Sequence, residues 1–189
     1  MNDRAKLTIR PLSAARWDDL VTLFGKNGAC AGCWCMWWRS PRWQWVKGKG
    51  EGNKRAMRKL VKDGAVTGLL AYADGAPVGW CAIAPRTDYP RLANSRTLKP
   101  VDDQAVWSIT CFFVARPFRR RGVTVDLLKA AVRFAGEQGA KMVEGYPVEP
   151  KKDQPDAFVY PGLASAFRKA GFREVARRSR TRPIMRRAS

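Results

Sequence analysis

The chain has 189 residues, of which 46% are hydrophobic, so it has the material for one folded domain, and general disorder is excluded. Its 36 Lys and Arg against 16 Asp and Glu give a net charge of +20, and such a surface attracts phosphates and other anions. It contains no histidine, which excludes Ser-His-Asp and Cys-His catalysis and histidine-ligated metal sites.

The N-terminal half predicts a mixture of strands and helices. The expected elements are a strand at 7–12, a helix at 14–24, a glycine-rich loop at 47–52, a helix at 53–62, and hairpin strands at 69–73 and 77–84. Ser13 and Asn53 are residue types that cap helix N-termini, and each stands where an amphipathic pattern begins. Asp74-Gly75 is a typical hairpin turn.

The C-terminal half predicts an α/β arrangement. The expected elements are a loop at 86–100, a strand at 106–114, a helix at 122–138, a strand at 141–148, a loop at 153–162, a helix at 163–170, and one or two strands within 172–185. The strand–helix–strand unit at 106–148 is typical of α/β domains. Neither repeats nor a domain boundary interrupt the pattern, so we expect residues 1–189 to form a single domain.

The cellular location is predicted from what the chain contains. Residues 1–10 are polar and charged, without the apolar region of a signal peptide. The longest strongly apolar run, residues 109–115, is too short to span a bilayer, so no membrane partner is expected. Five cysteines without an export signal are typical of reduced thiols. These features predict a cytoplasmic protein.

The junction between the predicted strand at 106–114 and the helix at 122–138 predicts an anion-binding site. A basic turn, Arg119-Arg120-Arg121-Gly122, stands there directly before the helix. The first N–H groups of a helix have no intrahelical acceptor and carry partial positive charge. A pyrophosphate at this position would be bound by these amides and by the guanidinium groups. Gly122 would allow the backbone to approach the ligand closely.

The same residues resemble a known family. Arg119-x-x-Gly122-x-Thr124 is similar to the Gln/Arg-x-x-Gly-x-Gly/Ala signature of the GNAT superfamily of acyl-CoA-dependent N-acyltransferases, with Thr124 in place of the usual small residue. The order of the elements and the Gly171-Phe172 pair after a short helix are also similar to that family. The resemblance implies an α/β, GNAT-like mixed sheet, mostly antiparallel and twisted, with helices on both faces.

A second segment resembles a bacterial subgroup of these proteins. Residues 33–39 read Cys-Trp-Cys-Met-Trp-Trp-Arg, which matches the subgroup's Cys-Trp-Cys-Met-x-Trp-Arg pattern. The resemblance implies one acyl-CoA N-acyltransferase domain over residues 1–189, with a Cys/Trp-rich insertion at about 29–52.

The family resemblance implies acetyl-CoA as cosubstrate and direct acetyl transfer to a primary amine in a ternary complex. The acceptor would be a small-molecule or peptide amine. The implied cofactor-binding residues are Phe112, Phe113, Val114, Arg119, Arg120, Arg121, Gly122, Val123 and Thr124. Backbone groups of Phe112 and Val114 would pair with the pantetheine arm, and amides at 112–114 would polarise the thioester carbonyl. The alternative is an ordinary buried strand and helix joined by a basic surface turn.

The usual catalytic residues of the family are absent. Phe167 occupies the position of the family's acidic tyrosine, and Ser108 that of its glutamate base. The candidate replacements are Glu144 and Tyr146, which are two residues apart on one strand face, Tyr160, or water held by Ser108. Alternatively, Glu144 pairs with an arginine, or the fold binds acyl-CoA with little catalysis.

The cysteine-rich segment allows two interpretations. Cys30, Cys33 and Cys35 form C-x2-C-x-C, which supplies three of the four ligands of a zinc site. The fourth ligand would have to come from Cys81 or Cys111. The favoured interpretation is ordinary reduced thiols with no metal.

The neighbouring tryptophans also have several interpretations. Trp34, Trp37 and Trp38 are predicted to form aromatic walls that attract and desolvate a cationic amine acceptor. They are equally compatible with a satellite hydrophobic cluster. A contact in a homodimer is the third interpretation.

The C-terminal segment predicts a rival function. Residues 168–187 carry nine Lys or Arg against one acid. On strand spacing Arg178, Arg180 and Arg182 would share a face, which suits a nucleic-acid- or ribosome-binding protein on a GNAT-like fold. A solvated basic face is the favoured interpretation.

Overall fold

The fold is described from a computed structural model, which describes residues 7–150, 155 and 158–189. The strands are β1 (Leu7–Pro11), β2 (Gly68–Ala73), β3 (Ala76–Pro85), β4 (Trp107–Val114), β5 (Met142–Gly145), β6 (Arg173–Arg177) and β7 (Pro183–Ala188). The α-helices are α1 (Trp17–Phe24), α2 (Arg42–Lys47), α3 (Glu51–Lys62), α4 (Pro90–Ala93), α5 (Val123–Glu137) and α6 (Ala164–Lys169). Short 3-10 turns cover Ala14–Arg16, Arg86–Asp88 and Arg116–Phe118.

The strands form one seven-stranded sheet in the order β1-β2-β3-β4-β5-β7-β6. Neighbouring strands are antiparallel except for β4 and β5, which are parallel and joined through α5. The predicted mixed, mostly antiparallel sheet is therefore confirmed. No helix within the described ranges has both the length and the apolar character that crossing a membrane requires.

The two largest of three hydrophobic clusters among the described residues cover the two faces of the sheet. Alternate residues of β3 point to opposite sides, with Cys81 and Ile83 on one side and Trp80 and Ala82 on the other. Helices α5 and α6 cover the first face. Helices α1 and α3, together with residues 34–36, cover the second.

The start of α3 differs from the sequence prediction. The helix begins at Glu51 with Gly50 at its N-cap, so the predicted capping role of Asn53 is wrong. Asn53 is buried, and its Nδ2 donates to the carbonyl oxygens of Gly32 at 3.1 Å and Trp45 at 3.3 Å. The Asn53 side chain thus links the turn before α2 to the end of α2. Its amide supplies the hydrogen-bond donor that buried carbonyl groups need.

The predicted helix at 14–24 and loop at 86–100 also differ in detail. The first splits into a 3-10 turn and α1, and Ser13 makes no side-chain capping bond. Ser13 Oγ instead accepts a hydrogen bond from Arg16 Nη1 at 3.1 Å. The second contains a 3-10 turn and the single-turn helix α4, which Pro90 begins.

The sheet opens between its two parallel strands. β4 and β5 pair only from Trp107 with Val143 to Ile109 with Gly145. The register between β3 and β4 shifts at Thr110, which is one residue too many on β4, and such a bulge bends a strand. Beyond the bulge, β4 continues to Val114 along β3 while β5 ends. The result is an opening beside residues 112–114.

Candidate functional site

The turn that leads from β4 into α5, residues 119–124, has the geometry of an anion site. Arg120 and Gly122 are left-handed, at φ of +60° and +85°, and Gly122 is the N-cap of α5. The N–H groups of Val125 and Asp126 donate to the Gly122 carbonyl at 2.9 and 3.2 Å. The N–H groups of residues 123–124 precede these bonds and have no acceptor in the helix. Donors therefore face outward at the positive end of a 15-residue helix.

The three arginines of this turn have different surroundings. Arg119 Nε donates to the Val114 carbonyl at 2.9 Å, which ties the turn to the end of β4. Arg120 and Arg121 are exposed, and the Arg121 guanidinium lies 5.9 Å from the ring centre of Phe118. Arg119 thus shapes the turn, whereas the other two present charge to solvent.

The opening beside β4 contains a segment of the chain itself. The Phe112 N–H donates to the carbonyl oxygen of Tyr160 at 2.6 Å. On the other side of this segment, Val148 N–H donates to the Gly162 carbonyl at 2.8 Å. Gly162 has a φ of +86°, and a Cβ there would stand 3.0 Å from the rings of Phe112 and Phe167. The outward-facing backbone of β4 at residue 112 is therefore paired with Tyr160.

The three catalytic candidates Ser108, Glu144 and Tyr146 meet in one buried cluster. Glu144 Oε1 accepts from the Tyr146 hydroxyl at 2.6 Å and from Arg86 Nη1 at 2.8 Å. Its Oε2 accepts from Arg186 Nε at 2.7 Å. Ser108 Oγ lies 2.8 Å from the Tyr146 hydroxyl. The carboxylate is fully buried, and both of its oxygens are occupied, which favours the ion-pair interpretation of Glu144 over a base role.

The cluster extends to the surface through Arg186. Its Nη1 and Nη2 donate to the two oxygens of Asp102 at 2.6 and 2.9 Å, and this pairing lowers the pKa of Asp102. Burial raises the pKa of Tyr146 well above its ordinary value, so its hydroxyl stays protonated. No local pattern in the sequence states which of the 36 basic residues pairs with Glu144. The roles of Arg86 and Arg186, and of Asp102 beyond them, could therefore not be predicted.

Tyr160 is a titratable residue whose backbone lies at the opening in β4. The Tyr160 carbonyl accepts a hydrogen bond from the Phe112 N–H. Its phenol interacts electrostatically with Arg182, Cys111 and Arg91. Burial raises the pKa of Tyr160 to about 12, so the phenol is neutral and able to donate a proton. Phe167 lies fully buried between other rings and supplies no acid.

The cysteines are free thiols. Cys35 Sγ lies 3.4 Å from Cys111 Sγ and accepts a hydrogen bond from Trp80 Nε1 at 3.1 Å. Cys30 is exposed, whereas burial raises the pKa of Cys33 and disfavours its thiolate. Among the residues that are described, no three Cys, Asp or Glu side chains are arranged to hold a metal ion.

The three tryptophans predicted to surround the acceptor do not lie together. Trp34 is only 4% exposed and stacks on Trp17 at 6.0 Å within the core, as the hydrophobic-cluster interpretation requires. Trp37 and Trp38 do line a cavity of about 460 Å³. Its other lining residues are Pro41, Arg42, Arg91, Asn94 and Ser95.

The basic C-terminal segment is largely involved in internal contacts. β6 ends at Arg177, so the prediction that Arg178, Arg180 and Arg182 share a strand face is wrong. Arg177 pairs with Glu149 and Glu174 at 2.6 Å each. Arg178 donates to the carbonyl oxygens of residues 99–100. Hydrogen bonds within the protein therefore occupy several arginines of this segment.

Residues 28–155 match the model of the Acetyltransferase (GNAT) family, and the chain belongs to that family. The protein is therefore an N-acetyltransferase, and acetyl-CoA is its acetyl donor.

Solved structures with low sequence identity share the fold. A GNAT-family acetyltransferase from Listeria monocytogenes has a TM-score of 0.59 at 10% identity, covering 97% of this chain and 95% of its own. The PaiA N-acetyltransferase from Thermoplasma acidophilum, solved with coenzyme A, has a TM-score of 0.55 at 14% identity, with coverages of 97% and 99%. A GCN5-related N-acetyltransferase from Kribbella flavida gives 0.56 at 19% identity, with coverages of 97% and 98%. No curated protein sequence gives a significant match.

Proposed function

We propose that the protein transfers the acetyl group of acetyl-CoA directly to a primary amine within a ternary complex. One observation carries this proposal: the opening beside β4 and the donors of the 119–124 turn adjoin the same end of one strand. A ligand with a pyrophosphate at one end and an extended arm can occupy both. Acetyl-CoA has that shape, and its thioester would then lie near Phe112.

The pyrophosphate would be bound by the outward N–H groups of residues 120–124. The exposed guanidinium groups of Arg120 and Arg121 would supply charge-assisted hydrogen bonds. Gly122 and its left-handed backbone direct these N–H groups to one side. The residues present therefore fit the ligand.

The pantetheine arm would lie along the outer edge of β4 as an added strand. Phe112 N–H, which now bonds to the Tyr160 carbonyl, would instead bond to the arm or to the thioester oxygen. When it bonds to the thioester oxygen, the Phe112 N–H polarises the carbonyl and stabilises the oxyanion of the tetrahedral intermediate. Phe113 contributes its backbone only, because its side chain packs on Phe24 at 5.6 Å.

The proposed chemistry needs few side chains. A neutral amine attacks the thioester carbon, the C–N bond forms and the C–S bond breaks. The Tyr160 phenol donates its proton to the departing CoA thiolate, and the resulting phenolate accepts the proton that the acylated nitrogen loses. We assign the acid role to Tyr160 because its phenol is neutral and its backbone already contacts the reacting end of β4.

Calorimetric titration with acetyl-CoA at about 50 and about 200 mM salt tests the donor site. We expect stoichiometric binding with a dissociation constant on the order of micromolar, weakened no more than about tenfold by salt, since backbone amides supply much of the contact. A single-stranded oligonucleotide serves as the comparison, because binding through phosphate neutralisation falls by about a thousandfold or more over the same range. Tight oligonucleotide binding with no acetyl-CoA heat would contradict the proposal.

Tyr160→Phe is expected to lower kcat by about 100-fold and to leave the acetyl-CoA dissociation constant unchanged, because the ring and its carbonyl remain while the proton donor is lost. Steady-state kinetics by CoA-thiol release provide the measurement. Tyr72→Phe is the matched control, since its phenol bonds to Asp19 at 2.7 Å, away from β4. Equal kcat in the Tyr160 and Tyr72 variants would remove Tyr160 from the mechanism.

A further inference from the structure

The cavity beside Trp37 and Trp38 has a charge opposite to that expected for an amine pocket. It lies between the residues that lead into α2 and the segment of α4. Two of its seven lining residues, Arg42 and Arg91, are cationic, and none is acidic. Its volume of about 460 Å³ suits a small molecule.

Arg91 is held in place by Trp37. Its guanidinium lies 3.5 Å from the ring centre, and Nη1 donates to the Trp37 carbonyl at 3.1 Å. The aromatic face predicted to attract a cationic substrate is therefore already covered by a cation of the protein. The remaining guanidinium N–H groups of Arg91 are in a fixed orientation, which lowers the cost of binding a planar or tetrahedral anion.

The positive charge of the cavity is not balanced by the protein. Within the part of the chain that is described, neither Arg42 nor Arg91 forms an ion pair with a carboxylate. Burial and the nearby charge of Arg42 lower the pKa of Arg91, although the phenol of Tyr160 opposes this effect. An anion placed between the two guanidinium groups would relieve their repulsion.

Further hydrogen-bond donors border the same cavity. The Asn94 side chain is exposed, and the Ser95 hydroxyl accepts from Leu98 N–H at 3.1 Å and lies 3.5 Å from the Thr97 hydroxyl. The lining thus offers donors suited to an oxyanion.

We propose that this cavity binds an oxyanion group of the acetyl acceptor, so that the acceptor is a small amine that also carries a carboxylate or a phosphate. The inference rests on the proposed transfer to an amine. Cys35, two residues before Trp37, lies with its Sγ 3.4 Å from Sγ of Cys111, the neighbour of Phe112 on β4, so the segment that lines the cavity also contacts the strand beside the opening. An acceptor anchored there by its anion would extend its amine toward the thioester. A diamine, by contrast, would place its second positive charge beside two arginines, and this repulsion would weaken its binding.

Direct binding of matched probes in the presence of CoA tests the inference independently of turnover. The probes are β-alanine against β-alaninamide for the carboxylate, phosphoethanolamine against ethanolamine for the phosphate, and 1,3-diaminopropane for a second cation. Calorimetry measures affinity, and tryptophan fluorescence reports contact with Trp37 and Trp38. We expect at least one member with an anionic group to bind about tenfold or more tightly than the partner that lacks that group, with the diamine weakest.

Arg91→Gln and Arg42→Gln should each abolish that preference while leaving acetyl-CoA binding unchanged. Arg96→Gln is the matched control, because Arg96 is an exposed arginine of the same segment that does not line the cavity. Equal binding within both matched pairs, or a preference for the diamine, would overturn the inference. If anionic probes bind but no probe is acetylated, the anion site stands and the proposed transfer to such amines fails.

Discussion

Gly122→Val is expected to weaken acetyl-CoA binding by at least about 100-fold, which corresponds to about 2.7 kcal/mol. Gly122 has a φ of +85° at the N-cap of α5, a conformation that disfavours a β-branched residue by about 1–2 kcal/mol. The turn would relax toward negative φ, and the N–H groups of residues 120–124 would no longer converge. A branched side chain would also stand where the pyrophosphate approaches the backbone.

The control for this variant is Gly139→Val. Gly139 has nearly the same φ, +84°, and follows α5 at its other end, with no atom within 4 Å of an added Cβ. Both variants introduce the same backbone strain, so both should lower the Tm by a few degrees. Only the Gly122 variant should lose affinity in the calorimetric titration. If acetyl-CoA binds equally well to both variants, the 119–124 turn is not the pyrophosphate site.

The fold and the geometry of the 119–124 turn, the proposed donor site, could be predicted from the sequence because their signals are local. Helix α5 follows from its apolar periodicity, and its start follows from Gly122 after three arginines. Once the strand patterns on either side of α5 are recognised, the parallel β4–α5–β5 unit can be predicted from them. These are the regions where short-range propensity and tertiary packing agree.

The proposed acceptor site and the Glu144 cluster were harder to predict from the sequence, because their contacts join residues that are far apart in the chain. Arg91 reaches Trp37 across 54 residues, and Arg86 reaches Glu144 across 58. In a chain with 36 basic residues, no spacing rule states which arginine covers a tryptophan and which balances a buried acid. A cation site was therefore one of three interpretations open for the tryptophans, whereas in the structure a guanidinium already covers Trp37.

Local signals also failed where packing overrides them. Asn53 has the chemistry of a helix cap, but its side-chain amide instead donates to the carbonyl groups of Gly32 and Trp45 within the core. For Trp34 the sequence left the acceptor wall and the hydrophobic cluster equally open, and its ring packs in the core beside Trp17 and Phe24. In both cases the deciding partner lies in another element.

Glu144→Gln is expected to destabilise the protein by about 3–5 kcal/mol, because it leaves two guanidinium groups facing a neutral amide in a buried cluster. Arg86 and Arg186 are 13% and 8% exposed at their side chains, so water cannot replace the lost charge. At about 2–4 °C for each kcal/mol in a chain of this size, the Tm should fall by roughly 10 °C. Thermal unfolding followed by circular dichroism provides the measurement.

Asp102→Asn is the matched control, since Asp102 also binds Arg186 but its side chain is 49% exposed. It should change the Tm little, because water solvates the Arg186 guanidinium on that side. Activity measured well below both transitions then separates the two roles of Glu144. In its ion-pair role, Glu144→Gln lowers the Tm while folded enzyme keeps most of its kcat. An unchanged Tm with a kcat lowered by about 100-fold would instead identify Glu144 as the general base.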